Sequence, residues 1–309
     1  MMDYRPFLSA AGWGGAQSAP LAGDASTRRY LRLTRGPQSA ILMVAPVNTI
    51  ADRTSFDGFR HVGAHLRTLV LSAPKEYAFD PSNGLILMED FGDLTLSNLL
   101  RDDPGMAYTG YRAAAALLPR LAAPPPSGLK SPDAAAMAGM VRLTFDLLPG
   151  SDALRVTLLA ALAQALGTHA PGPHVLSLRD VHGDNLLWLP DRTGDARIGL
   201  LDYQDALMLP EGYDLASLLD DPRREVPEAW RAELVAEFST PPRIAILSLQ
   251  RNLRILGIFH RLATRLGKPS YGAFLPRTRG LVTRAADTLP TLRKPVAELL
   301  ERTADWGTQ

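Results

Sequence analysis

Asp180 and Asn185 stand five residues apart in the stretch Arg179-Asp180-Val181-His182-Gly183-Asp184-Asn185, and seventeen residues further on the apolar pair Leu200-Leu201 leads into Asp202. Phosphoryl transfer from a magnesium nucleotide needs this set of groups. One carboxylate orients the attacking hydroxyl, while an amide and a second carboxylate hold the metal. Alone, an Asp and an Asn with four residues between them would be a weak signal, because both are common turn formers beside strands. Their coupling to an apolar strand that ends in Asp202 gives the pattern its meaning.

The elements that must position these groups are also written in the chain. Val175-Leu176-Ser177-Leu178 is an apolar lead-in to a polar loop, and Leu186-Leu187-Trp188-Leu189 resumes as a buried strand. Ile198-Gly199-Leu200-Leu201 reads as its hairpin partner across a turn at Asp191-Arg192-Thr193-Gly194. Such a hairpin sets Asn185 and Asp202 at the same end of adjacent strands. Two neighbouring oxygen ligands suit a hard cation such as Mg²⁺, with phosphate oxygens and waters completing an octahedron. In Gly212-Tyr213-Asp214-Leu215-Ala216 a further Asp opens an apolar helix, where a cap and the helix dipole favour a carboxylate. Its expected role is structural, bracing the catalytic loop.

Residues 1–92 look strand-rich, with a turn-forming cluster at Leu21 to Thr27 and a half-buried strand at Arg29-Tyr30-Leu31-Arg32-Leu33. Short apolar runs follow at Ile41-Leu42-Met43-Val44 and Leu85-Ile86-Leu87-Met88, and between them Phe56 to Leu71 is spaced as a helix. The order suits a small sheet with one helix against it. Beyond Phe91-Gly92-Asp93, Ala and Leu dominate and helical spacing takes over. A helix is expected to start at Ser151-Asp152 and end at Gly167, while Ala122 to Gly128, with three consecutive prolines, is a surface loop.

Composition narrows the class further. At 309 residues the chain suits two lobes better than one core, and 46% apolar with 21% charged residues is ordinary for a soluble globular protein. The net charge of +1 argues against a nucleic-acid partner, and the absence of cysteine excludes disulfides and thiolate metal sites. No leader-like segment or membrane-spanning run is evident, so a cytoplasmic location is expected.

At this point the residues carry a resemblance. The ordered set of Asp180, Asn185, Asp202 and Gly212-Tyr213-Asp214-Leu215-Ala216 is similar to the aminoglycoside phosphotransferase and choline kinase family, itself similar in fold to the protein kinases. Ala11-Gly12-Trp13, the run Leu21-Ala22-Gly23-Asp24-Ala25-Ser26 with Arg28-Arg29-Tyr30, Asn185 to Pro190, Gly199 to Ala206 and Gln250 to Phe259 resemble one bacterial branch of it. That branch contains the N-acetylmuramate/N-acetylglucosamine anomeric kinases. The resemblance spans nearly the whole chain.

It implies an α+β, two-lobed, protein-kinase-like fold. A small antiparallel-sheet N-lobe would cover 1–92, with a hinge near 89–93, and a larger, mainly helical C-lobe would cover 93–309. The cofactors implied are ATP and Mg²⁺. Asp180 would be the catalytic base, with Asn185 and Asp202 as metal ligands. The turn Gly23-Asp24-Ala25-Ser26-Thr27, with Arg28 and Arg29, would cover the nucleotide phosphates. Backbone groups of Glu89, Asp90 and Phe91 would pair with adenine.

Two look-alikes are set aside. His182-Gly183-Asp184 spells the base motif of many relatives, but Leu189 stands five residues after Asp184 and cannot bind metal. Asp90-Phe91-Gly92 spells the metal triplet of protein kinases but precedes the catalytic loop. Two departures also stand out. The Ile41 to Val44 strand lacks the phosphate-binding Lys of relatives, leaving Arg28 or Arg29 to supply the charge, and Leu178 replaces a His two residues before the base.

The acceptor is read from Gln250-Arg251-Asn252-Leu253-Arg254, a helix that continues to His260-Arg261 and is basic on one side. Arg pairs with carboxylates, and Asn and Gln suit sugar hydroxyls. Asp205, Arg251, Asn252 and Arg254 are therefore the candidate substrate contacts, against the alternative that these charges are a solvated face. A polycationic antibiotic would want an acidic wall and choline an aromatic cage. Trp188, Tyr203, Trp230 and Tyr271 are present, but no spacing gathers them, and Trp188 reads as core. The expected activity is a phosphotransferase on an amino-sugar hydroxyl. The alternatives are an aminoglycoside or choline-type kinase, or a silent nucleotide-binding relative. The expected partners are nucleotide and sugar, with no membrane, in a monomer or weak dimer.

Overall fold

The structure, a computed structural model, describes residues 3–21 and 28–307. Its first elements are α1 (Arg5–Ala10), β1 (Gln17–Pro20), β2 (Arg29–Arg35), β3 (Gln38–Val44), α2 (Ile50–Thr68), β4 (Glu76–Asp80), β5 (Leu85–Glu89) and α3 (Leu96–Asp102). They are followed by α4 (Pro104–Leu117), α5 (Ala134–Gly139), α6 (Arg142–Asp146), α7 (Asp152–His169), β6 (His174–Ser177), β7 (Leu186–Trp188), β8 (Ile198–Leu200) and β9 (Leu207–Pro210). The chain closes on α8 (Tyr213–Leu219), α9 (Glu228–Phe238), α10 (Pro241–Arg265), α11 (Leu275–Asp287) and α12 (Pro290–Arg302). It divides into two compact units, Met1–Asp103 with Asp184–Ala206, and Pro104–Gly183 with Leu207–Gln309.

The first unit is built on an antiparallel five-stranded sheet in the order β1-β2-β3-β5-β4, as the alternating apolar runs predict. One buried cluster joins Leu33, Ala40, Leu42, Val44, Leu85 and Leu87 to Leu8 and Trp13. Helix α1 has no apolar periodicity to announce it, since only Leu8 of its residues is buried. Helix α2 buries Phe56, Phe59, Val62, Gly63 and Leu66 on one face, at the spacing expected of it. It starts at Ile50, earlier than the apolar spacing indicates, because Thr49 and Asp52 form a reciprocal capping box.

The hairpin of β7 and β8 forms as expected, and its register sets Leu186 opposite Leu200 and Trp188 opposite Ile198. It belongs to the first unit because its edges are taken there. Trp188 N donates to Leu94 O at 2.8 Å, and Leu200 N donates to Ser72 O at 2.7 Å. The bond to Leu94, just before α3, also explains why this unit runs to Asp103 and not only to residue 92.

The second unit is helical, apart from the antiparallel ribbon of β6 and β9. Helix α10 forms its axis and packs against α6, α7, α8 and α11. Gly257 permits one of these contacts, since a Cβ there would lie 2.6 Å from Thr144 Oγ1 and 2.8 Å from Thr144 N. The Thr144 hydroxyl in turn donates to Leu253 O at 2.6 Å. Helix α7 begins where the sequence indicates, but Ser151 does not cap it. Its hydroxyl is buried and donates to Phe145 O at 3.2 Å, and the helix runs through Gly167 to His169. Among the described residues no helix is long and apolar enough to cross a membrane.

Candidate active site

The loop after β6 carries Asp180, and its shape is set by Asp214. The Asp214 carboxylate accepts from Ser177 Oγ at 2.7 Å, Leu178 N at 2.8 Å and Arg179 N at 2.9 Å. Ser217 Oγ then donates to Arg179 O at 3.0 Å. This brace stands where a His at position 178 would have served, and it holds Arg179 at φ +71°, a left-handed conformation uncommon for a residue with a Cβ. Asp214 is the second residue of α8, and Gly212 at φ +95° takes the N-cap position instead. Burial raises the Asp214 pKa, and the three hydrogen bonds offset only part of that shift.

The Asp180 side chain is 29% exposed. Desolvation alone would raise its pKa, but the positive charges of Arg251 and Arg254, with His182 and Arg179, outweigh it. The group is held below the ordinary carboxylate value. Burial lowers the His182 pKa, and the nearby carboxylates of Asp221 and Asp180 oppose that shift. A base candidate that stays ionised thus lies in a loop whose backbone is held by three side-chain hydrogen bonds from Asp214 and Ser217.

Helix α10 departs from its expected role. Arg251 and Asn252 are both fully buried. Arg251 Nη2 donates to Asp221 Oδ2 at 3.0 Å and lies 3.6 Å from Asp180 Oδ1. Asn252 Nδ2 donates to Asp220 O and Ser248 O, each at 3.1 Å. Neither side chain presents itself to solvent, so the basic acceptor face shrinks to Arg254, which is half-buried. His260 stacks on Trp306 at 3.9 Å between ring centres, and Arg261 is exposed.

The partners of Arg251 and Asn252 on the chain after α8 escape a sequence reading. Asp220 and Asp221 follow the last turn of α8, where the helix dipole disfavours carboxylates, and that placement is the only signal of nearby cations. Arg231 Nε donates to Asp220 at 2.8 Å, and Arg223 Nη1 donates to Asp221 at 2.8 Å.

In the first unit, Leu201 N donates to Asn185 O at 3.0 Å, which closes the hairpin between the two candidate metal ligands. Asp202 is left-handed, at φ +58°. Its side chain is 42% exposed and accepts from Gln204 Nε2 at 2.8 Å. Among the described residues no group of three or more His, Cys, Asp or Glu side chains converges as a metal cage. An amide and a carboxylate with one open side instead fit Mg²⁺, which keeps waters and phosphate oxygens in its shell. Beyond Asp202, Tyr203 is fully buried and stacks on Phe59 at 4.9 Å, while Asp205 is exposed.

The two candidate phosphate cations separate clearly. Arg28 is buried, with Nη2 donating to Ser55 Oγ on α2 at 2.5 Å and Nη1 standing 3.8 Å from Asp202 Oδ1. Arg29 is exposed on β2. Gly23, Asp24, Ala25, Ser26 and Thr27 lie outside the described residues.

At the expected hinge, the Asp90 carboxylate is taken by Arg32, whose Nε lies 2.8 Å away, and it also accepts from Gly92 N at 2.9 Å. Glu89 is gripped by Arg192, a residue of the hairpin turn that also donates to Ser72 Oγ at 2.6 Å and lies 5.0 Å from the Phe91 ring centre. The Phe91 ring covers Gly199, where a Cβ would meet Phe91 Cδ2 at 2.8 Å. The four aromatic candidates for a choline cage are each packed elsewhere. Trp188 lies under Arg197, Tyr203 on Phe59, Trp230 beside Tyr108 and Tyr111, and Tyr271 beside Phe259 and Phe274.

The family model described as "Phosphotransferase enzyme family" matches residues 18–247. The chain is 36% identical to the N-acetylmuramate/N-acetylglucosamine kinase of Caulobacter vibrioides, over 88% of each chain. Among solved structures it is similar to the choline kinase LicA from Streptococcus pneumoniae, with a TM-score of 0.66, 16% identity and coverage of 93% of this chain and 97% of that one. It is also similar to a thermostable mutant of aminoglycoside phosphotransferase APH(4)-Ia in ternary complex with ADP and hygromycin B. That match has a TM-score of 0.63 at 17% identity and covers 92% of this chain and 99% of the other. At such identities the likeness is one of fold.

Proposed function

The chain belongs to the phosphotransferase enzyme family and is a small-molecule kinase, and we propose that it transfers the γ-phosphoryl group of ATP to a hydroxyl of an amino sugar. N-acetylmuramate and N-acetylglucosamine are the acceptors favoured, from the name of the Caulobacter vibrioides relative and its similarity along most of both chains. The observation that supports the chemistry is the hairpin register, which sets Asn185, just before β7, and Asp202, just after β8, at the same end of the two strands.

In this reading Asp180, ionised and held by a rigid loop, accepts a hydrogen bond from the acceptor hydroxyl and takes its proton as that oxygen bonds to the γ-phosphorus. ADP departs with the electrons of the broken bond. Asn185 and Asp202 would hold Mg²⁺, which when bound neutralises charge on the phosphate oxygens. Arg28, fixed by Ser55 beside Asp202, would take the place of the missing strand Lys. Backbone groups of Glu89, Asp90 and Phe91 would pair with adenine. Catalysis then rests on positioning and charge, because the transferred group needs little covalent help. Arg254 is left as the acceptor-side cation, and Asp205 as an exposed polar group near the metal pair.

The test is release of ADP in the presence of Mg²⁺, run side by side with N-acetylmuramate, N-acetylglucosamine, kanamycin and choline. Turnover with the amino sugars is expected. Activity confined to kanamycin or to choline would reject the acceptor assignment, and ATP binding without turnover on any acceptor would favour a silent relative.

A further inference from the structure

We propose that Arg251 is a positioning residue for the base: anchored from behind by Asp221, its guanidinium sets the orientation and the ionisation of Asp180. The inference rests on Asp180 as the base of the reaction. Arg251 is fully buried, and its Nε and Nη1 have no hydrogen-bond partner among the described residues. Burying a guanidinium with unspent donors is costly, so its stability contribution does not explain its place. Asp221 does not require it either. That carboxylate already accepts from Arg223 N at 2.9 Å and Arg223 Nη1 at 2.8 Å.

Arg251 also reaches Asp180, with Nη2 lying 3.6 Å from Oδ1 and 3.0 Å from Asp221 Oδ2. One nitrogen thus faces two carboxylates. The shorter contact fixes the guanidinium. The longer one is beyond hydrogen-bond length, so it attracts the Asp180 carboxylate by charge without taking a lone pair in a hydrogen bond. Several other groups act on Asp180. Arg254 from α10 and Arg179 and His182 from its own loop favour its charged form, as Arg251 does, while the Asp180 charge raises the pKa of Asp214 on α8. Arg251 is itself held by its ion pair with Asp221. The role vacated by a His at position 178 is therefore divided. Asp214 shapes the backbone of the loop, and Arg251 holds the side chain of the base.

The experiment uses the full chain and compares wild type, Arg251→Lys, Arg251→Met with Asp221→Asn, and Asp180→Asn. The double variant removes the buried pair together, which protects folding better than stranding either charge, and thermal melting checks that it folds. Three quantities are read: kcat, KM for ATP, and the ¹³C titration of the Asp180 carboxyl, assigned by its loss in Asp180→Asn. The double variant should lose about 10²-fold in kcat, the scale of a misplaced reacting group, with KM for ATP unchanged and the Asp180 titration moved to higher pH. Arg251→Lys, which keeps the charge, should keep the titration near that of wild type and recover part of the rate. A folded double variant with wild-type kcat and an unmoved titration overturns the proposal. Full activity in Asp180→Asn would instead overturn the assignment of the base. The carboxyl titration reads the charge effect even with no acceptor present.

Discussion

Arg28 Nη1 stands 3.8 Å from Asp202 Oδ1, and the same guanidinium donates to Ser55 on α2 through Nη2. A buried cation tied to a helix and set beside a candidate metal ligand is suited to meet phosphate oxygens. Arg28→Met should therefore raise KM for ATP by about tenfold or more, the scale of a lost charge-assisted contact worth ~1.5–3 kcal/mol. Arg29→Met should leave it near wild type. Titration of ATP binding by calorimetry, with each variant checked for folding, measures the difference.

The Asp214 brace sets up a stability prediction. Asp214→Ala leaves Leu178 N without its acceptor, while Arg179 N keeps only the longer bond to Ser177 Oγ at 3.2 Å. Orphaning a buried amide should cost about 1–3 kcal/mol, read by urea denaturation. The pH dependence carries a sign. Because the folded-state pKa of Asp214 is raised, the folded state binds a proton more readily than the unfolded chain. This group alone therefore stabilises the fold as pH falls through the window between the two values, and the advantage disappears in the alanine variant.

Gly199→Ala tests the hinge. The added Cβ would press on the Phe91 ring at 2.8 Å, and the ring must move to admit it. Overpacking of this kind costs about 1–3 kcal/mol. If Phe91 shapes the adenine site, KM for ATP should rise while kcat at saturating ATP changes little. A variant with lowered melting temperature but unaltered KM would separate the packing role from the binding role.

The acid limb of the reaction should be missing from the accessible pH range. Asp180 is held below an ordinary aspartate's value of 3.8, so it is ionised wherever the enzyme is folded and assayed. His182 does not supply a limb above neutrality, because burial lowers its pKa. A profile of kcat/KM from pH 5 to 8 should show no loss on the acid side. A protonation step with a midpoint near 6 in that range would rule out Asp180 as the sole titrating base.

Parts of this site could be read from the chain because they depend on local pattern. Alternating apolar runs around a Gly-containing turn were enough to place Asn185 and Asp202 at one end of a hairpin, and the Asp at the head of an apolar helix was legible as a brace. The burial of Arg251 and Asn252 was hidden for a physical reason. In a helix, a polar residue on the polar side of the pattern is taken to face solvent, yet the Asp221 carboxylate arrives from another element to pair with Arg251, and the Asp220 carbonyl accepts from Asn252. That pairing is tertiary and leaves no trace in the spacing of α10. Arg192 is hidden in the same way, since a residue in a hairpin turn gives no sign that it will reach Glu89 and Ser72.

The first unit takes residues 1–103 and then, after eighty residues given to the second, the hairpin at 184–206. During vectorial synthesis this order matters. The sheet can form early, but the edge at Ser72 and Leu94 waits until the ribosome has passed residue 206. Until then a nascent chain has the five-stranded sheet without the hairpin that carries Asn185 and Asp202. A chain truncated before the hairpin therefore leaves those edge groups unpaired, as a target for chaperones and proteases, and activity and full protection of the first unit should emerge together.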